Sequence, residues 1–305
     1  MQFDHVLSVY ERMLSPKHPL RIKAMADKAD ALGCLGRLVE SLALFKAALL
    51  LARQVFDHYS RILVALEVNM ALTLGELGMY EEAAEVHERL MRAMERSPLF
   101  GPSDFDTWIS RINHCRTVVV LGSFAEAVPL LQDSLAAFDG MGLGREHPVL
   151  GTIPQHYGEA SLGVGRAEQA VPMFQRSIAF TEHQFGFHHY LIPDNLIQLA
   201  TAYKQLGRCS GERRIPLLDR AVAIRELSIR RDKEKDAGPL GAALQAAASC
   251  YEEAGRLAEA EALWIGCVAA FTKARCFLLH STLASLFSFV GSLSRNSHPF
   301  HPLSR

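Results

Sequence analysis

The sequence predicts an all-α chain built as a solenoid of about six antiparallel helix pairs. Three observations predict it. A glycine-centred unit recurs at Gly36, Gly78, Gly122, Gly165, Gly207 and Gly255, at intervals of 42, 44, 43, 42 and 48 residues. Small residues recur at fixed distances on both sides of that glycine. Apolar residues within Leu42–Phe56, Ala83–Met94 and Ala170–Phe180 return every three or four positions, the period of a helix with one buried face.

Taken in order, residues 1–20 read as an N-terminal helix capping the stack, and the repeated pairs run over 21–271. In each pair the anchor glycine closes the first helix, because it takes a left-handed conformation without steric cost. An acidic residue and a small one follow it, as in Gly78-Met-Tyr-Glu-Glu-Ala83, Gly122-Ser-Phe-Ala-Glu-Ala127, Gly165-Arg-Ala-Glu-Gln-Ala170 and Gly255-Arg-Leu-Ala-Glu-Ala260, with a weaker copy ending at Ser41. Seven residues before the anchors stand Ala29, Ala71, Cys115, Gly158, Ala200 and Ala248, all small enough to let two helices approach closely. Nine after stand Phe45, His87, Leu131, Phe174 and Trp264. Twelve after stand Ala48, Leu90, Ser134, Ser177 and Cys267. The Gly207 unit joins these two columns at Leu218 and Ala221 once two extra residues are allowed in its Cys-Ser-Gly-Glu-Arg turn.

One such pair cannot bury its apolar face alone, so neighbouring units must stack. Pro129, Pro172 and Pro216 fall at equivalent places and are expected in the first turn of three second helices, where a missing N–H costs nothing. Polar or Gly/Pro-rich linkers are expected at Ser97–Asp104, Asp139–His147 and Arg230–Pro239. Residues 272–305 close the chain with an apolar helix and a disordered tail. Within them 276–293 carry no Asp, Glu, Lys or Arg and reach about 27 Å as a helix, barely a bilayer. The serines among them favour a cap over the open end of the stack, or a segment outside the repeat design, over a membrane anchor.

This arrangement of small and bulky positions over 21–271 resembles the tetratricopeptide-repeat family, and its long period resembles the kinesin-light-chain variety. Glu-His147-Pro148 and Phe-Gly-Phe-His188-His189 look like the His-Pro entry of that variety, with Asp57-His58-Tyr59 a loose echo. The resemblance implies a right-handed superhelix whose first helices line a concave groove. Nine residues before the anchors lie Asp27, Asn69, Asn113, His156, Gln198 and Ala246, a column that in this family faces the groove. Asn69 and Asn113 are thereby implied to hold the backbone of an extended peptide, a task an amide suits because it both donates and accepts. On the same helix face, three residues further on, lie Asp30, Leu72, Arg116, Glu159, Thr201 and Ser249. Arg116 is placed to meet a ligand carboxylate. The mixed signs in the groove argue against an acidic C-terminal tail as ligand.

Other chemistry is excluded or unsupported. Lys plus Arg is 32 and Asp plus Glu is 33, so the net charge of −1 gives no general attraction to nucleic acid or anionic membrane. The cysteines Cys34, Cys115, Cys209, Cys250, Cys267 and Cys276 form no CxxC pair and read as reduced core thiols. His188 and His189 lack other ligands at metal spacing. The glycines of 140–144 follow a helix rather than a strand, so they make no phosphate loop. No catalytic signature occurs, and no cofactor is expected. Carboxylate pairs such as Glu252-Glu253 are put down to solvation at helix ends. The arginines Arg213, Arg214, Arg220, Arg225, Arg230 and Arg231 interleave with Glu212, Asp219, Glu226 and Asp232 and read as a salt-bridged outer face. Without a basic-then-apolar start, a cytoplasmic location is expected. The functional expectation is a non-enzymatic scaffold that binds a protein or peptide. A kinesin-light-chain-like cargo adaptor, or a regulatory repeat region of a larger enzyme or signalling ATPase, stands as the alternative.

Overall fold

A computed structural model describes residues 2–57, 60–142, 147–207, 211–232 and 237–274. Among them are thirteen α-helices and no strand, divided between two compact units. The first unit holds α1 (Gln2–Met13), α2 (Pro19–Cys34), α3 (Leu38–Ala52), α4 (Arg61–Glu76), α5 (Tyr80–Glu95), α6 (Phe105–Val120) and α7 (Phe124–Gly140). The second holds α8 (Val149–Gly163), α9 (Ala167–Phe185), α10 (Ile192–Gln205), α11 (Gly211–Asp232), α12 (Gly238–Glu253) and α13 (Leu257–Lys273). Each unit is three helix pairs, with α1 packed on α2 at the start of the first. The apolar run at 276–293 and the tail beyond it lie outside the described residues, as do Cys209, Cys276, His58 and Tyr59. No helix among the described residues is long and apolar enough to cross a membrane.

The anchor glycines do what the repeat requires. All six have φ between 59° and 79°. After α4, the Gly78 N–H bonds the Gly75 carbonyl and the Met79 N–H reaches back to Leu74. After α6, Gly122 and Ser123 do the same to Val119 and Val118. These paired bonds satisfy the orphan carbonyls at the helix end, and they need a residue that tolerates positive φ.

The small columns are fully used. Ala29, Ala71, Cys115, Ala200 and Ala248 are at most 2% exposed, and Ser41, Ala83, Ala127, Ala170 and Ala260 are completely buried. Ser41 shows how closely α2 and α3 approach, since its hydroxyl donates to the Ala29 carbonyl at 2.7 Å. At Gly158 a Cβ would sit 2.8 Å from the Phe174 ring, so the close approach of α8 and α9 depends on that residue having no side chain. The bulky column (Phe45, His87, Leu131, Phe174, Leu218, Trp264) is at most 2% exposed and fills each pair.

Several expectations are corrected. Pro129, Pro172 and Pro216 are each the sixth residue of their helix, past the first turn, so each removes a bond to the carbonyl four residues earlier. Helices α7 and α11 extend through Gly140 and Asp232, into stretches expected to be linkers. Cys34 is exposed, whereas Cys115, Cys250 and Cys267 are buried. Burial pushes the Cys115 thiol up to about 12 and the Cys267 thiol to about 11, which keeps both unreactive.

The site five residues after the anchor is not small in the Gly207 unit. Its shifted register puts Arg214 there, 8% exposed, with Nη1 donating to Glu253 Oε2 at 2.7 Å. Glu253 also accepts from Lys204 at 2.5 Å, so this carboxylate is tied between α10 and α11 rather than merely solvated. Burial raises its pKa, but the two cationic donors outweigh that and leave it below the usual range. The α11 arginines pair largely with neighbouring helices: Arg220 with Glu182 of α9, Arg225 with Asp194 of α10 and Arg214 with Glu253 of α12. Only Arg230 pairs along its own helix, with Glu226, among the pairs described.

The histidine entry is wider than the sequence reading had it. Eighteen residues before the anchors stand His18, Ser60, Asp104, His147, His189 and Ala237. His18 Nδ1 accepts from the Leu20 N–H at 3.2 Å, His147 Nδ1 from Val149 and His189 Nδ1 from Leu191, both at 3.4 Å. Ser60 and Asp104 accept from Leu63 and Asp106 in the same role. Five of the six positions therefore supply side-chain acceptors for free N–H groups where first helices begin, Ala237 being the exception. His188 and His189 lie in the turn before α10 rather than on a helix. His189 stacks on Phe185 at 4.5 Å.

Candidate functional site

Within the first unit the first helices α2, α4 and α6 pack on one another in sequence, as α8, α10 and α12 do in the second. Between α2 and α4 this layer opens into a cleft of about 450 Å³. Its floor is apolar, made by Ile22, Ala26, Ile62, Ala65 and Leu66. On α2, Ile22, Ala26 and Asp30 follow at four-residue spacing. On α4, Ile62 and Leu66 do, with Asn69 three further on, so each helix lays one stripe along the cleft. Ile62 remains 41% exposed, an apolar side chain left to water.

The polar rim contains three residues that the sequence marked. Asp27, Asp30 and Asn69 all line the cleft. The Asn69 amide donates to both oxygens of Asp30, at 3.1 and 3.3 Å. That fixes the amide plane and leaves its carbonyl free to accept. Burial raises the Asp30 pKa, the neighbouring Asp27 raises it further, and the bond from Asn69 only partly offsets them. Lys23 and Arg61 complete the rim. Arg61 is committed elsewhere: it pairs with Asp106 and lies over the Phe100 ring.

Asn113 and Arg116 lie three residues apart on α6, both half-buried. Burial lowers the Arg116 pKa, against the pull of Glu76 and Tyr80 at the α4–α5 turn. In the second unit the expected column departs from an open face. His156 is buried, and its Nδ1 lies 3.0 Å from Glu159, which also accepts from Gln155 at 3.2 Å. These two predicted contacts thus satisfy each other. Gln198 is half-buried on α10.

The sequence reading missed the apolar floor. It followed two columns of one helix, whereas the floor arises from stripes on two helices that face each other.

The tetratricopeptide-repeat profile matches residues 24–96, which span the helices that build this cleft. Tetratricopeptide repeats are thus identified within residues 24–96. The nearly identical TPR-like repeats of a Podosopora anserina protein described as a kinesin light chain are 21% identical, over 72% of this chain and 99% of that one, with a TM-score of 0.57. BtubC (BKLC) from P. vanneervenii is 15% identical over 88% and 95%, with a TM-score of 0.61. A chain of the APC/C hetero-tetramer Cut9–Hcn1 gives 0.62 at 15% identity, over 87% of this chain and 43% of its own. The tetratricopeptide-repeat fold is thus shared with solved structures at low sequence identity, among them one described as a kinesin light chain. Among curated proteins none matches. Among the described residues no group of His, Cys, Asp or Glu is placed to hold a metal ion.

Proposed function

We propose that the tetratricopeptide repeats of this chain are a protein-interaction scaffold, and that the α2–α4–α6 face of the first unit holds an extended peptide segment of the partner. The observation that carries this reading is the cleft itself: an apolar floor large enough for side chains, rimmed by an amide whose orientation is fixed. In it Asn69 accepts from a peptide N–H, Asn113 on the next first helix does the corresponding work, and Arg116 meets a carboxylate. Within the second unit, where His156 and Glu159 are bound to each other, Gln198 is the remaining candidate for a peptide contact. A reducing, cytoplasmic setting fits the buried thiols. The narrower role of a kinesin-light-chain-like cargo adaptor draws on repeat type alone.

The test is an affinity pull-down with the intact chain as bait, quantified by mass spectrometry beside an Asn69→Ala/Asn113→Ala bait. The proposal expects specific partners to drop at least fivefold on the double variant, with a melting temperature changed by less than about 2 °C, since neither side chain belongs to the buried core. Equal recovery on both baits refutes the groove assignment.

A further inference from the structure

The α2–α4 cleft has a composition that selects among peptides. Along its floor run five apolar side chains, and Ile62 is left 41% exposed, so an aliphatic group from a partner gains by filling it. At the rim, Asp27 and Asp30 stand one helical turn apart on α2, both exposed. Asn69 holds Asp30 by donating to both of its oxygens, so this carboxylate is oriented before any ligand arrives. Few charges neutralise the pair from within. Arg61 is turned to Asp106, leaving Lys23 as the one other cation lining the cleft.

We infer that the cleft seats a lysine or arginine of the partner peptide beside an aliphatic residue, the cation lying between Asp27 and Asp30 and the aliphatic side chain on the accessible Ala26–Ile62–Ala65 part of the floor, since Ile22 and Leu66 beneath it are buried. This rests on the reading of the face as a peptide groove and adds the chemistry of what enters it. Long basic side chains suit the shape, because their methylene stems pack on apolar surface while the charged head reaches the rim. The charge-assisted bonds so formed are the stronger kind of hydrogen bond. Burial is the larger cause of the raised Asp30 pKa; the smaller, repulsion by Asp27, is relieved when a cation sits between the two carboxylates.

The experiment is selection of a displayed library of random dodecapeptides on the intact chain, followed by anisotropy titrations of the recovered sequences as labelled synthetic peptides. Recovered peptides are expected to share a Lys or Arg next to Leu, Ile or Val. Replacing that lysine by norleucine should weaken binding about tenfold, and Asp27→Asn/Asp30→Asn should do the same, whereas exchanging lysine for arginine should change it less than threefold. Far-UV circular dichroism and the melting temperature check that the asparagine variant is folded.

An empty selection overturns the inference, as do recovered peptides without a basic residue or with an acidic one drawn to Lys23. So does affinity unchanged in the Asp27→Asn/Asp30→Asn protein. If that protein binds normally while Asn69→Ala/Asn113→Ala binds poorly, the groove stands and only the ligand chemistry falls. If neither variant matters, both fall together.

Discussion

His87 makes the first unit acid-labile, and the size of the effect follows from its surroundings. It occupies the bulky column of α5, where the other units carry Phe45, Leu131, Phe174, Leu218 and Trp264. Its side chain is completely buried, and neither ring nitrogen has a hydrogen-bond partner. Burial, then the positive charges of Arg116 and His114, push its pKa down to about 4 from 6.5. The folded chain therefore keeps His87 neutral across a range in which the unfolded chain protonates it. Below pH 6.5 the unfolded state gains a proton that the fold refuses, so stability falls as pH falls and stops falling near pH 4. At about 1.4 kcal/mol per pKa unit, the whole loss is about 3 kcal/mol, of which about 2 kcal/mol is reached between pH 7 and 4.5.

The perturbation is His87→Leu, close in volume and already the choice of two other units. Urea unfolding of both proteins, followed by far-UV circular dichroism at pH 7 and 4.5, measures the difference. Carboxylates that titrate in this range do so in both proteins and cancel. The variant should lose about 2 kcal/mol less than the native chain on acidification. At pH 7 it should also be more stable by about 1 kcal/mol, because an unsatisfied buried N–H is removed. Parallel losses in the two proteins would mean that His87 is not held neutral, and the reasoning would fail.

Three other outcomes follow from contacts in the fold. Glu253→Gln removes the charge that holds buried Arg214 and should cost about 1–2 kcal/mol in denaturant unfolding, less than a fully buried pair would because Glu253 is half exposed; an unchanged midpoint would show that the guanidinium finds other partners. Gly158→Ala places a methyl 2.8 Å from the Phe174 ring and should lower stability by about 1–3 kcal/mol, and a melting temperature equal to native would mean that α8 and α9 part freely. His18→Ala removes the acceptor at the start of α2 and should cost about 1 kcal/mol, while His18→Asp should cost nothing; equal losses in the two variants would show that the imidazole acts by packing rather than by capping.

Most of the fold was legible because the repeat forces the same steric answer at the same offset. Once Gly36, Gly78 and Gly122 set the register, the columns around them had to be buried, and they are. Two of the misreadings share one cause: a residue was judged by type instead of by column. Cys34 was put in the core because cysteines usually are. Two positions before the anchor, however, its counterparts are Glu76, Val120, Gly163, Gln205 and Glu253, and all six positions are exposed. His18 was passed over although it stands at the same offset as His147 and His189. Arg214 could not be foreseen in this way, since its burial depends on Glu253 of α12 reaching it from the next pair.

The candidate site shows where column reasoning ends. Columns describe one helix at a time, and the polar rim was found because Asp27, Asp30 and Asn69 each belong to one. The apolar floor belongs to none, because it exists only where the Ile22 stripe of α2 meets the Ile62 stripe of α4. A repeat gives every unit the same backbone and leaves these seams between units free to differ. In the second unit the corresponding first-helix residues His156 and Glu159 are spent on each other. The α2–α4 seam instead keeps exposed carboxylates above unfilled apolar surface. Specificity in this chain is therefore expected to reside in the junction between two repeats, and exchanging Asp27 and Asp30 should alter which ligand is chosen while leaving the helix pairs intact.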